Sequence, residues 1–138
     1  MTWLKWFIAG ALAVPLFHQV GLLLLNVAGA TDRAAFAMTA MKPFGVPSLV
    51  SLSFWGGVWG IILGLVLLRR IGSSFWILAL VIGAIAPTLV AMFVVAPLKG
   101  SPMTFDPKFL AGGLLLNGAW GLGTALLYRL MTRAPAKH

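Results

Sequence analysis

The sequence contains no cysteine and only two acidic side chains, Asp32 and Asp106, in 138 residues. The missing thiols exclude disulfides, thiolate metal sites and cysteine nucleophiles. Charged residues make up 9% of the chain, whereas a typical soluble domain carries about 25%. Since 61% of the residues are hydrophobic, a soluble fold of this length could not bury so much apolar surface. The lipid bilayer is therefore predicted to be the solvent for most of the exterior.

Long stretches without any charged side chain divide the chain into four apolar segments. A membrane-spanning helix needs about 20 predominantly apolar residues. The predicted spans are residues 6–27, 49–68, 75–96 and 109–128, which makes the chain an all-α bundle of four transmembrane helices in a single domain, residues 1–138. Because no span contains Asp, Glu, Lys or Arg, carboxylate proton relays and voltage sensing are disfavoured.

The basic residues lie at the ends of the apolar segments. Lys5, Arg69, Arg70, Arg129, Arg133 and Lys137 belong to the termini and the 69–74 loop, and Arg33, Lys42, Lys99 and Lys108 to the other two loops. The positive-inside rule therefore predicts that both termini are cytoplasmic. The same placement argues against a nucleic-acid partner, which would require a basic stripe. A cleaved signal peptide ending at Ala28-Gly29-Ala30 is the alternative for the first span, and its apolar stretch is longer than such peptides usually have.

Two Gly-Trp-Gly segments indicate an internal duplication. Residues 57–61 match residues 118–122 at an offset of 61. The same offset pairs Phe44 with Phe105, Gly64 with Ala125 and Leu65 with Leu126. The first and third spans align at an offset of 72, which sets Pro15 on Pro87. The chain is thus predicted to consist of two parallel helical-hairpin repeats related by a pseudo-axis along the membrane normal. The repeats are residues 1–70 and 71–138.

Small residues four positions apart mark one face on each of two spans. They are Gly56, Gly60 and Gly64 on the second span, and Gly121 and Ala125 on the fourth. Such faces let helix backbones approach closely in a lipid environment. The second and fourth spans are therefore predicted to form the centre of the bundle. Pro15 and Pro87 are predicted to bend the first and third spans around it, since proline removes a helical hydrogen bond.

Four polar residues are predicted to share one layer near the bilayer midplane: His18, Gln19, Thr88 and Asn117. An ionisable residue inside a span, here His18, is a functional-site hypothesis by default. Three interpretations stay open. In the first, the layer joins the helices through hydrogen bonds, with His18 bonded to Asn117 or to a carbonyl freed by Pro15. In the second, it lines a pathway for water or a solute. In the third, His18 ligates a cofactor, haem or copper, and a bis-histidine haem would require a dimer because each chain has one such histidine.

The loops offer little further chemistry. Met38, Met41 and Met103 are soft side chains that Cu(I) accepts, but methionine is more often an apolar filler. We therefore predict no metal and no cofactor. No nucleophile–base pair and no phosphate-binding glycine loop is found, so an enzyme is improbable. Thr31-Asp32-Arg33 ahead of an apolar run predicts a short interfacial helix with Thr31 as its N-cap, ending at Pro43.

Three segments carry a resemblance to a known group of proteins. They are Phe17-His18-Gln19, Pro43-Phe44-Gly45-Val46-Pro47 and Phe54-Trp55-Gly56-Gly57-Val58-Trp59-Gly60. With them the chain resembles small four-helix inner-membrane proteins of Gram-negative bacteria. The resemblance implies a bacterial inner membrane, and it implies neither an activity nor functional residues. The expected role is that of a structural or accessory subunit, forming a homo-oligomer or binding a membrane complex. The alternative is a small channel or carrier assembled as a homo-oligomer.

Overall fold

Four long helices account for most of the chain. The computed structural model describes residues 2–101 and 106–133. Helices α1 (Thr2–Val27), α2 (Ser48–Leu67), α3 (Gly72–Leu98) and α4 (Pro107–Thr132) are each long and apolar enough to cross a membrane. Two short strands, β1 (Ala40–Met41) and β2 (Val46–Pro47), pair antiparallel in the loop between α1 and α2. The four predicted spans are thus present as helices.

Helix α4 extends beyond its predicted span at both ends, because its start is capped and its last turns carry long basic side chains. Asp106 is the N-cap of α4, where its Oδ1 accepts a hydrogen bond from the Lys108 backbone N–H at 3.0 Å. Pro107 occupies the first helical position, where a backbone N–H would have no acceptor within the helix, so that proline costs no hydrogen bond there. At the other end α4 continues through Arg129 to Thr132. Long basic side chains reach the interface from such positions while their stems cover apolar surface.

Each helical hairpin closes at a crossing of small residues. In the first hairpin, a Cβ atom placed on Gly10 would overlap the Gly56 carbonyl and lie 2.8 Å from the Gly60 Cα. In the second, a Cβ on Gly83 would lie 2.7 Å from the Gly121 Cα. Because the obstructing atoms belong to the backbone, the two helices of each hairpin can approach this closely only at positions that carry no side chain.

The two crossings have corresponding contacts. Gly83 faces the Asn117 carbonyl and Gly121, as Gly10 faces the Gly56 carbonyl and Gly60. These contacts correspond at an offset of 73 residues between α1 and α3 and of 61 residues between α2 and α4. The same two offsets convert the contact of Gly57 with Phe7 into the contact of Gly118 with Leu80. The first offset is one residue greater than the 72 that aligned Pro15 with Pro87. The predicted partner of Phe44, Phe105, lies outside the described residues, as does Met103.

The centre of the bundle differs from the prediction. Helices α2 and α4 barely touch, whereas α1 and α4 pack along much of their length and join the two hairpins. The predicted α2–α4 centre is therefore wrong. The small faces do promote close approach, but each is used within its own hairpin, against α1 or α3. The core cluster consists of Trp6, Ala13, Val14, Leu63, Leu67, Phe75, Ala79, Trp120 and Ala125.

Prolines accompany local changes in the helical hydrogen-bond pattern. Pro15 lies in a π-helical segment of α1, Val14–His18, which closes with a bond from the Gln19 N–H to the Val14 carbonyl. Pro87 lies inside the regular part of α3, just ahead of a second π-helical segment, Ala91–Val95. A proline leaves the carbonyl four residues earlier without its usual partner. A widened π turn next to such a site lets the helix continue with altered side-chain directions.

The loop between α1 and α2 contains no interfacial helix, so that prediction is wrong. Residues 28–39 are turns and extended chain that lead into the β1–β2 pair. Backbone groups of the loop bond to other parts of the chain instead of forming intrahelical bonds. The Asn26 amide donates to the carbonyls of Thr31 and Arg33, both at 3.1 Å, and the Ser48 N–H donates to the Thr39 carbonyl.

Candidate functional site

The π turn of α1 places a histidine and a glutamine side by side. His18 is half-buried and Gln19 is buried. The Gln19 Nε2 lies 3.0 Å from the His18 Nδ1. Because the amide nitrogen is a donor, this contact makes His18 Nδ1 the acceptor and leaves the ring proton of a neutral imidazole on Nε2. The histidine's nearest polar partner is therefore its own neighbour in the chain.

Gln19 also holds the loop between α1 and α2. Its Oε1 accepts a hydrogen bond from the Phe36 backbone N–H at 2.8 Å. Phe36 has a φ of 56°, a conformation that is costly for a bulky residue and persists only where the surroundings fix it. Gln19 is eight residues before the end of α1, about 12 Å along the helix axis. The loop therefore descends beside α1 to the level of the polar residues.

A second polar pair joins the two helices of the second hairpin. The Asn117 Nδ2 on α4 donates to the Thr88 Oγ1 on α3 at 2.9 Å. The Thr88 hydroxyl in turn donates to the Ala84 carbonyl, one turn earlier on α3. Thr88 is 1% exposed, so this chain of bonds is shielded from the surroundings. Polar side chains that bond across helices in this way add directional contacts where lipid supplies no hydrophobic driving force.

The four residues predicted to form one layer are thus found as two separate pairs. His18 is brought together with Gln19, and Thr88 with Asn117. The hydrogen bond expected between His18 and Asn117 is not formed in the described structure, because the Asn117 amide donates to Thr88. Successive side chains of a helix point about 100° apart around its axis. Two residues on different helices can therefore lie at a similar depth in the membrane without being in contact.

A third intramembrane polar contact was not anticipated from the sequence. The Trp120 Nε1–H on α4 donates to the Gly10 carbonyl on α1 at 2.9 Å, and Trp120 is 3% exposed. The bond therefore links the two hairpins at the α1–α4 contact. The signal available in the sequence was a tryptophan in the middle of a span, where a buried indole N–H needs an acceptor.

The predicted packing residues all lie in helix contacts. Gly60 faces the Trp6 carbonyl and Gly10, Gly64 faces the Trp6 indole, and Gly121 faces the Ala79 carbonyl and Gly83. The remaining two, Gly56 and Ala125, are buried. A side chain at Gly64 would collide with the Trp6 ring, which fixes the position of that indole at one end of the bundle.

The chemistry available in the membrane-embedded part is that of hydrogen bonding. Within residues 2–101 and 106–133, no three His, Asp or Glu side chains come together as a metal site. The intramembrane donors of Gln19, Asn117 and Trp120 have protein acceptors.

Comparison with protein-family models, with curated proteins and with solved structures finds no match for this chain.

Proposed function

We propose that the protein is a structural or accessory subunit located in a bacterial inner membrane, and that it associates with a second copy of itself. Backbone meets backbone at both glycine crossings, and the buried side chains of Thr88, Trp120 and Thr124 donate to backbone carbonyls. Such contacts favour a bundle that holds its shape over one that opens a path for a solute.

The observation that carries the proposal is an aromatic patch on the outside of the first hairpin. Phe54 and Trp55 on α2 are more than half exposed, at 54% and 57%. Their rings pack edge to face at 5.5 Å, and Phe54 also contacts Phe7 of α1 at 6.0 Å. We call these three residues the α2 aromatic patch.

The depth of the patch argues for a protein partner. Trp55 lies seven residues into α2, about 10 Å from its start, whereas tryptophans that face lipid concentrate at the membrane–water interfaces. Large rigid aromatic side chains are enriched in the centres of protein interfaces. A second copy of the chain, with the same patch, supplies a self-complementary apolar surface about a two-fold axis.

Native mass spectrometry in a mild membrane mimic tests the proposal. We expect a dimer, and we expect Phe54→Leu and Trp55→Leu each to weaken it at least about fivefold, as interface anchors do. Phe93→Leu on α3 is the matched control, since Phe93 is 46% exposed outside the patch. A wild-type protein that remains monomeric at all concentrations would show that the patch faces lipid. Equal effects of Phe54→Leu and Phe93→Leu would show that the dimer forms elsewhere.

The orientation and the compartment belong to the same proposal. The flanking Lys and Arg residues support cytoplasmic termini, and the resemblance noted above supports a bacterial inner membrane. Reporter fusions at Ser73 and His138 should both read cytoplasmic, and a fusion at Lys42 external. An external reading at His138 contradicts the topology. The matching contacts of the two crossings support an origin by duplication of one hairpin, with both copies inserted in the same direction.

One observation favours the alternative of a small homo-oligomeric channel or carrier. Loop backbone reaches Gln19 inside α1, and irregular backbone at membrane depth is tolerated where it is buried in protein or lines a water-filled cavity. In this alternative, His18→Leu leaves the dimer and its thermal stability intact but abolishes flux into reconstituted vesicles. Vesicles that show no flux with the wild-type protein exclude it.

A further inference from the structure

Arginines converge on a cleft at the end of the bundle where α1 begins and α4 ends. The cleft has a volume of about 330 Å³ and is lined by Arg70, Arg129 and Arg133 together with Trp6, Phe75 and Tyr128. Since one water occupies about 30 Å³ of liquid, the space corresponds to about ten waters. It is large enough for a phosphate group and the atoms that bear it.

The aromatic residues form a rigid wall of the cleft. The rings of Trp6 and Tyr128 stack at 3.8 Å with an interplanar angle of 9°. The Arg129 guanidinium carbon lies 4.2 Å from the centroid of Phe75 and 5.4 Å from that of Trp76. A guanidinium stacked on an aromatic ring contacts that ring through its own flat face. Its N–H donors point outward in the guanidinium plane and are not used by the stacking. Arg129 is therefore held in place with donors still free.

The positive charge of the cleft has no side-chain counter-ion nearby. The chain has only two carboxylate side chains. Asp106 caps the start of α4, about 35 Å along the helix from Arg129, and Asp32 lies in the loop that follows the far end of α1. The guanidinium groups of Arg70, Arg129 and Arg133 make no hydrogen bond within the described residues.

A buried donor in the wall beside the cleft has no partner among the described residues. Trp6 is 2% exposed, and its Nε1–H has no acceptor among residues 2–101 and 106–133. An amphipathic ring so near the start of the first span, such as that of Trp6, usually lies at the membrane–water interface. The structure instead buries it against Gly64 and Tyr128 as part of the cleft. A buried indole usually finds a partner, and the Trp6 N–H is a donor that the described residues leave without one.

We infer that this cleft binds a phosphate group, carried by an anionic phospholipid or by a soluble phosphate ester. Arginines bind phosphate through paired N–H donors, and basic pockets between transmembrane helices on the cytoplasmic side hold lipid headgroups. Exposed apolar side chains next to the cleft, Leu68 and Ile71 at 58% and 81%, offer a surface for acyl chains and favour the lipid. The inference does not depend on the dimer proposed above.

The test compares two neighbouring arginines. Arg70 lines the cleft, whereas Arg69 does not, although both carry the same charge next to the same span. Protein purified in a neutral detergent is titrated with phosphatidylglycerol, and bound lipid is counted by native mass spectrometry. Phosphatidylcholine with the same acyl chains is the neutral-lipid control. Arg70 and Arg133 are exposed, so their replacement by Gln is expected to leave folding intact, which circular dichroism checks.

We expect one phosphatidylglycerol per chain and little phosphatidylcholine. Arg70→Gln and Arg133→Gln should each weaken phosphatidylglycerol binding about fivefold, the effect of one basic residue near an anionic headgroup, and the double variant about 25-fold. Arg69→Gln should leave binding within about twofold of wild type. Equal losses in Arg69→Gln and Arg70→Gln would show a diffuse surface charge and overturn the site. Equal binding of both lipids, or of neither, would overturn it as well.

Competition with glycerol phosphate identifies the source of the phosphate. If soluble glycerol phosphate displaces the lipid from wild-type protein at comparable concentration, and does so less well from Arg70→Gln, the site takes a soluble ester. If it does not displace the lipid, the acyl chains contribute and the ligand is the phospholipid. Both results retain the arginine cleft as a phosphate site.

Discussion

A single methyl group at the crossing of α3 and α4 should separate the two helices. In Gly121→Ala, the new Cβ would overlap the Ala79 carbonyl and lie 2.9 Å from the Gly83 Cα. Both obstructing groups belong to the backbone of α3, so no side-chain rotation relieves the overlap. Unfavourable carbon–carbon contacts begin below about 3.5 Å. The helices must therefore move apart by about half an ångström or more at this point.

The cost follows from the loss of contact along the seam. A gap of about 0.5–1 Å removes a quarter to a half of the dispersion energy of each atom pair across it. Measured penalties for inserting carbon into a well-packed core are typically about 1–3 kcal/mol. We expect Gly121→Ala to lower the free energy of unfolding by this amount, and Gly121→Leu to lower it further. Gly60→Ala, at the corresponding position of the first hairpin, should have a similar effect.

Gly112→Ala is the matched control on the same helix, because a Cβ at Gly112 has no atom within 4 Å. It should leave stability unchanged or raise it slightly, since alanine favours the helical conformation over glycine. Reversible unfolding in mixed micelles, followed by circular dichroism, measures all four variants. Equal stability of Gly121→Ala and Gly112→Ala would refute the close crossing.

Two more variants probe the polar contacts. Trp120→Phe removes the donor to the Gly10 carbonyl while keeping an aromatic ring, and it should cost about 0.5–1.5 kcal/mol of stability; no loss would mean that this bond does not join the hairpins. Gln19→Leu removes the acceptor of the Phe36 N–H. Hydrogen exchange should then accelerate in residues 28–47 but not in α2, and unchanged exchange in that loop would show that Gln19 does not hold it.

The four helices could be predicted from the sequence because their signal is local. A run of about 20 apolar residues without charge is sufficient to identify a spanning helix, whatever its neighbours. The ends were less well placed. The Asp106 cap and the continuation of α4 past Arg129 extend that helix at both ends, because caps and snorkelling side chains allow helices to exceed their apolar stretch.

The arrangement of the helices could not be predicted, because packing depends on rotation about each helix axis. Small residues on α2 and α4 indicated close approach, but the same pattern fits a contact with any neighbour. The partner of Gly60 is Gly10, an isolated glycine of α1 for which no spacing pattern was recognised. The loop was mistaken for a helix for a related reason: the acceptors that hold it, such as the Gln19 side chain, lie far from it in the sequence.

The division of the polar layer into two pairs leads to a prediction that separates the structure from the sequence-based expectation. Thr88→Val leaves the Asn117 amide unpaired, whereas Asn117→Leu leaves the Thr88 hydroxyl still bonded to the Ala84 carbonyl. The threonine variant should therefore be the less stable of the two, because a half-buried amide donor without a partner inside a span carries the larger cost. A double-mutant cycle should give a Thr88–Asn117 coupling of about 0.6 kcal/mol and at most about 1.7. The parallel cycle of His18→Leu with Asn117→Leu should give a coupling near zero, since His18 bonds to Gln19. A His18–Asn117 coupling larger than that of Thr88–Asn117 would restore the single layer and contradict the two pairs.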